Sequence, residues 1–203
     1  MNKLLVALVL SSAASLGSAE EVAPDTLIRA VSSEVIEAVR RDPAIRAGDT
    51  AKAAQLIEST IAPHIDFTRA ARIALGTAWR RADAAQREEL VRRFHALIVR
   101  AYSIALSSYR DDEIAVLPLR GPAAGDEVTV RSQVRRPGTA PIGVDYEMER
   151  TAAGWKVYDV RIDGISLMSS YRAAFADEVR NRGVDGLLRT LGGVSTVTAG
   201  AGR

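Results

Sequence analysis

The stretch of this chain closest to a catalytic motif is Gly164-Ile165-Ser166-Leu167-Met168. Hydrolases expose a nucleophilic serine on such a strand-to-helix turn, but the pattern needs a glycine where Met168 stands and a histidine partner further along. No histidine follows His95. Ser166 therefore reads as a turn or capping residue. His64 and Asp66 are the one closely spaced histidine–acid pair. Two ligands do not make a metal site, and His95 belongs to a different helix. Neither common glycine-rich phosphate loop occurs. A buried carboxylate acting as a base is the remaining option. Asp145 falls on the wet side of an alternating strand, and Asp159 sits where alternation breaks. Such a base must converge with other groups inside a pocket, and nothing in the spacing brings a second group to either.

The elements around these residues are better defined than any chemistry. Ile142, Val144, Tyr146 and Met148 alternate with Gly143, Asp145, Glu147 and Glu149, the period of a strand with one apolar and one wet face. A turn at 151–154 precedes Trp155-Lys156-Val157-Tyr158-Asp159-Val160. Its broken alternation at 157–160 predicts a bulge or strong bend. Tyr171 and Phe175, four apart, share a helical face beyond it. Strands are expected at 113–119, 127–135, 142–150 and 154–162, with Pro118 demoting the end of the first. The connections are short and rich in glycine, which favours antiparallel hairpins.

The first half of the chain is helical. Leu27, Val31, Val35 and Val39 mark a helix over 25–41 that Pro43 stops. Asp49 or Thr50 caps a second, ending at Pro63, and Asp66 a third, with Gly76 just past its end. Asp83 and Gln86 form an aspartate version of the capping box. It opens a long helix over 83–109 whose inner face carries Leu90, Phe94, Leu97 and Ala101, flanked by Val91, Ile98 and Tyr102. Arg87, Glu88, Arg92 and Arg93 read as its solvated side. A last helix over 169–181 ends at Gly183, and a short one follows over 185–191. The sum is α+β: a strongly curved four-stranded antiparallel sheet, polar on one side, with helices packed on the other.

Residues 1–19 read as a secretory signal peptide, with Lys3 ahead of the apolar run Leu4–Leu10 and small residues before a cut between Ala19 and Glu20. The apolar run is too short to span a bilayer, which takes about 20 residues. Removing 19 of the 203 residues leaves 184, enough for one domain over 20–203 with a real core. The tail 192–203, rich in Gly, Ser and Thr, is expected to fray. With Lys3 gone, 26 basic residues face 25 acidic, a net charge of +1. That balance offers no steering towards nucleic acid. The chain contains no cysteine, so packing alone must hold an exported domain together.

The chain resembles the MlaC family, also called the toluene-tolerance auxiliary family. Carrying the resemblance are Pro63-His64-Ile65-Asp66-Phe67, Ala74-Leu75-Gly76 with Trp79-Arg80, Gln86, and Phe94 through Tyr102 to Tyr109. It is strongest at Gly154-Trp155-Lys156-Val157-Tyr158-Asp159-Val160, Gly164-Ile165-Ser166-Leu167, Tyr171-Arg172, Phe175 and Gly183-Val184-Asp185-Gly186-Leu187. Each piece alone is weak; the combination and order are specific and cover almost all of the chain after residue 19.

The resemblance implies a monomeric periplasmic phospholipid carrier without catalysis, built as a nuclear-transport-factor-like cone with added N-terminal helices and an apolar cavity. It implies no cofactor, only phospholipid as cargo. The partners implied are an outer-membrane lipoprotein–porin complex and an inner-membrane ABC transporter with its lipid-binding subunit, in a pathway that maintains outer-membrane lipid asymmetry. Combined with the periodicity, it makes Leu90, Phe94, Leu97, Ile98, Tyr102, Val130, Val144, Tyr146, Met148, Val160, Ile165, Leu167, Tyr171 and Phe175 the candidate cavity wall. Arg80, Arg81 and Arg172 are candidates for a phosphate headgroup at the mouth, against the plainer reading as surface arginines. The alternatives are a carrier of hopanoid-type lipids, an enzyme of the same cone fold with a pocket acid, and an adaptor whose apolar surface binds only protein.

Overall fold

A computed structural model describes residues 22–107, 112–119, 121 and 125–193. The proposed signal peptide, Tyr109 and the tail beyond Gly193 lie outside the described residues. The chain runs α1 (Pro24–Arg41), α2 (Pro43–Arg46), α3 (Thr50–Leu56), α4 (Phe67–Leu75), α5 (Thr77–Arg81), α6 (Ala84–Ser107), β1 (Glu113–Val116), β2 (Glu127–Arg135), β3 (Ile142–Thr151), β4 (Gly154–Ile162), β5 (Ile165–Ser166) and α7 (Leu167–Gly193).

The helix starts follow the expected capping chemistry. Asp49 accepts from the amides of Ala51 and Lys52, both at 3.0 Å, and Asp66 from that of Arg69 at 2.8 Å. Asp83 and Gln86 satisfy each other's amides, at 2.8 and 3.1 Å. Gln86 also donates to Asp185 at 2.9 Å, which ties the start of α6 to the last turns of α7. Pro43 does more than stop α1: it opens α2, where a missing N–H costs nothing and Asp42 caps the first amides. Beyond α3 the chain loosens into a π-helical turn at Ile57–Ile61 and a 3-10 turn at Ala62–His64. Gly183, at φ 65° and ψ −168°, breaks α7 into two helical stretches, a conformation open essentially to glycine.

The sheet is antiparallel throughout, in the order β1-β2-β3-β4-β5. It has five strands, not the expected four, and is open and not strongly curled. The added strand arises at Asp163-Gly164. Both have positive φ, at 48° and 82°, the geometry of a two-residue hairpin turn. It folds Ile165 back opposite Ile162. Asp163 pins that turn by accepting from the Gly143 amide at 2.9 Å. The predicted bulge is present: Glu147 faces Asp159 while Met148 faces Val157, leaving Tyr158 as the extra residue.

Packing departs from the single helix-covered face. α1 lies over the apolar side, where Leu27 and Ile28 pack with Val130, Met148, Trp155 and Val157. Helices α4 to α7 form a second core of their own, from Ala70 and Leu75 through Phe94 to Leu187 and Leu191. This helical body docks on β4 through α4 and α7. A parallel bridge from Ile65 to Val157, with the Asp66 amide on the Val157 carbonyl at 2.9 Å, fixes the approach. Arg69 bonds to both Glu127 and Glu149 and stacks 3.6 Å over the Tyr158 ring. It thereby separates two carboxylates that the register sets directly opposite each other.

Candidate functional site

The apolar face of the sheet passes from core to solvent along its length. Val130 and Met148 are fully buried. Tyr146, Val160 and Val144 come next and are half-buried. The face then ends in Ile162, Ile142 and Ile165, at 38, 44 and 66% exposure. Register makes this one surface: Val130 faces Tyr146, Tyr146 faces Val160, Val144 faces Ile162, and Ile162 faces Ile165. Residues paired directly across strands share a side of the sheet. The opposite side is polar, with Arg131, Asp145 and Arg161 in one row and Thr129 bonded to Glu147 in the next. A single polar thread crosses the apolar side. Ser132 donates to the Val144 carbonyl at 2.9 Å, and Ser132 and Ser32 of α1 lie near the Tyr146 hydroxyl. Burial raises the Tyr146 pKa, and the two serines oppose that rise.

The expected wall is thus divided between two bodies. Leu90, Phe94, Leu97 and Ile98 on α6, with Tyr171 and Phe175 on α7, are buried in the helical core, and Tyr102 and Leu167 pack against it. Val130 and Met148 belong to the sheet core, with Tyr146 and Val160 against them. Ile165 was expected to turn inward; on the two-residue strand β5 it is instead the most exposed large apolar residue described. Ile142 and Ile162, outside the expected wall, share the parity of Val144 and Val160 and continue the same apolar face.

Among the aromatics of the helical core, Phe94 meets Tyr171 edge-on at 5.6 Å, and Tyr171 stacks on Phe175 at 5.7 Å. Tyr102 is held neutral chiefly by burial, and the nearby Tyr171 and Asp159 push its pKa further upward.

The acids do not form a reaction centre. Asp159, 8% exposed, accepts from the amides of Val160 at 2.8 Å and Met168 at 3.1 Å and from the Ser166 hydroxyl. Ser166 in turn caps α7 through the Ser169 amide at 3.0 Å. The motif that resembles a nucleophile elbow is therefore a helix start anchored to the sheet. His95 stacks on Phe67 at 3.9 Å and lies 3.0 Å from Glu58. No group of three or more metal-ligating side chains occurs among the described residues.

The candidate headgroup arginines lie on the surface. Arg80 and Arg81 are exposed in α5. Arg172 is exposed too, but its Nε donates to the Ile73 carbonyl at 2.8 Å near the end of α4, and its stem lies against Gly76. Arg87 and Arg93 correct the expected solvated face of α6: they donate to the carbonyls of Trp79 at 3.0 Å and Leu188 at 2.7 Å.

A family model described as MlaC protein matches residues 29–192. The chain belongs to the MlaC family. It is 22% identical over 139 residues to the intermembrane phospholipid transport system binding protein MlaC of Haemophilus influenzae. It is 29% identical over 114 residues to toluene tolerance protein ttg2D of Pseudomonas putida. These alignments cover 67% and 56% of this chain but only 65% and 52% of the respective relatives. A phospholipid-binding protein from Ralstonia solanacearum, solved in complex with a phospholipid, superposes with a TM-score of 0.77. It is 34% identical, over 84% of this chain and 96% of that one. Segments quoted above for the resemblance, 63–67 and 154–160, are the two that join in the Ile65–Val157 bridge.

Proposed function

We propose that this protein is a periplasmic phospholipid carrier that moves lipid, without catalysis, between an outer-membrane lipoprotein–porin complex and an inner-membrane ABC transporter with its lipid-binding subunit. The observation that carries this reading is the likeness, over most of both chains, to a protein solved holding a phospholipid. The chemistry of the sheet face fits the task. Exposing the chains of a two-chain lipid to water involves about 30 methylenes at ~0.8 kcal/mol each, roughly 24 kcal/mol in all. A carrier must supply continuous apolar surface that is reachable from outside. The face running from Val130 through Val144 to the exposed Ile162, Ile142 and Ile165 has that form.

In this reading the acyl chains enter at the exposed end of the face. They lie along the apolar face of the sheet where it meets the helices. Val144, Val160, Tyr102 and Leu167, which are half-buried, are the wall residues most available to them. The fully buried Leu90, Phe94, Val130 and Met148 support the wall from behind. The headgroup stays near water, because burying a phosphate is costly, and Arg80 or Arg81 is available to meet it.

The test is native mass spectrometry of protein purified from periplasm, with the extracted lipid identified. A bound two-chain phospholipid is expected, and Val144→Trp should abolish it while the circular dichroism spectrum is preserved. Leu97→Trp should also block loading, though its buried position puts stability at risk. Protein that carries no lipid and takes none up from vesicles would overturn the reading. A hopanoid adduct would redirect it to the polycyclic cargo.

A further inference from the structure

Tyr171 is 3% exposed, and its hydroxyl has no hydrogen-bond partner among the described residues. Its direction is not free. Phe94 holds the ring edge-on and Phe175 stacks on it, so the phenol cannot swing out to water without breaking the helical core. Phenylalanine at 171 would fill the same space without a buried polar atom to satisfy, and an unpaired buried donor is costly. Asp159 accepts from the Val160 and Met168 amides and from Ser166, and no hydrogen bond joins it to the Tyr171 hydroxyl. The half-buried Tyr102 of α6 packs against the same helical core.

We propose that the Tyr171 hydroxyl donates a hydrogen bond to an ester carbonyl of the bound lipid, and so selects diacyl lipids over lipids whose chains are joined through ethers. This rests on the carrier reading above and sharpens its cargo. A neutral phenol in apolar surroundings suits a neutral acceptor. A phosphate there would bring a charge with no cation beside it, whereas Arg80 and Arg81 stand at the surface. On a two-chain lipid the neutral acceptors nearest the acyl chains are the ester carbonyls. A dialkyl ether lipid presents the same chains and headgroup but lacks those carbonyls.

The experiment measures uptake of a diacyl phosphatidylethanolamine and its dialkyl ether counterpart, matched in chain length, by the full mature protein and by Tyr171→Phe. The wild type should favour the diacyl lipid by roughly three- to tenfold, the span of one hydrogen bond to a neutral group. Tyr171→Phe should lose that preference by weakening diacyl binding alone, with ether-lipid binding unchanged. The thermal midpoint of its lipid-free form should be equal to or above wild type. Equal wild-type affinity for the two lipids would overturn the inference with no variant needed, and so would a preference that survives in Tyr171→Phe. Failure of the wild type to bind either lipid would instead overturn the carrier reading itself, and this inference with it.

Discussion

Asp159→Ala should be among the most damaging single changes to stability outside the apolar cores. The carboxylate takes hydrogen bonds from three donors: the Val160 amide, the Met168 amide and the Ser166 hydroxyl. Alanine leaves the first turn of α7 without its anchor, and loss of a helix cap costs about 1 kcal/mol. It also leaves a buried backbone amide unpaired, at about 1–3 kcal/mol. The Ser166 hydroxyl can rotate to another acceptor and adds little. Together these give roughly 3 kcal/mol, or about 6–12 °C in melting temperature for a domain of this size. Asp159→Asn keeps one oxygen to accept from the amides and should lose only about 1–1.5 kcal/mol by the same reasoning. Urea denaturation followed by circular dichroism, with thermal melts alongside, measures both. A change under 0.5 kcal/mol for Asp159→Ala would refute the idea that α7 is anchored to the sheet through this residue.

Two further changes test backbone and charge. Gly183→Ala meets no neighbouring atom within 4 Å, so its cost is purely that of φ 65° with ψ −168°, about 1–3 kcal/mol; an unchanged urea midpoint would show that the two stretches of α7 can join without this conformation. His64 has its pKa lowered from 6.5, first by burial and then by Lys156. Its neutral form is favoured by folding, so the stability it confers is present above about pH 6.5 and is lost as the pH falls through the lower folded value. Urea midpoints between pH 7.5 and 5.5 should decline less in His64→Asn than in wild type, and parallel profiles would exclude His64 as a source of that decline.

The sequence made local structure legible wherever one residue type has one physical job. Asp49, Asp66 and the Asp83–Gln86 pair cap the helices they were expected to cap, because a short polar side chain ahead of an apolar run has few other uses. The bulge at Tyr158 was legible because apolar residues on both sides of it must still face inward, which forces one extra residue into the strand. Strand β5 was not legible. Two residues carry no periodicity, and Asp163-Gly164 reads equally well as a plain turn until Ile165 is seen opposite Ile162. Helix α5 was missed for the same reason: five residues are too few to show a face.

The site was less legible than the fold because periodicity assigns a side chain to a face of its own element and says nothing about which element that face meets. Phe94 and Val130 were both correctly turned inward, yet one belongs to the helical core and the other to the sheet core. Val35 and Val39 of α1 meet Ile45, Ala53 and Leu106 of α6 in a third apolar cluster, and several further links between the two bodies are polar: the Asp66 amide on Val157, Arg69 between Glu127 and Glu149, and Asp159 beneath α7. Such contacts depend on direction and leave no pattern in the spacing of apolar residues. They also bear on how the two bodies are held. Moving one body against the other must strain the directional contacts that Asp66 makes with Val157, Arg69 with Glu127 and Glu149, and Asp159 with Ser166 and Met168. Two of the segments that carry the family resemblance, 63–67 and 154–160, supply the Ile65–Val157 bridge and with it the placement of the helical body against the sheet.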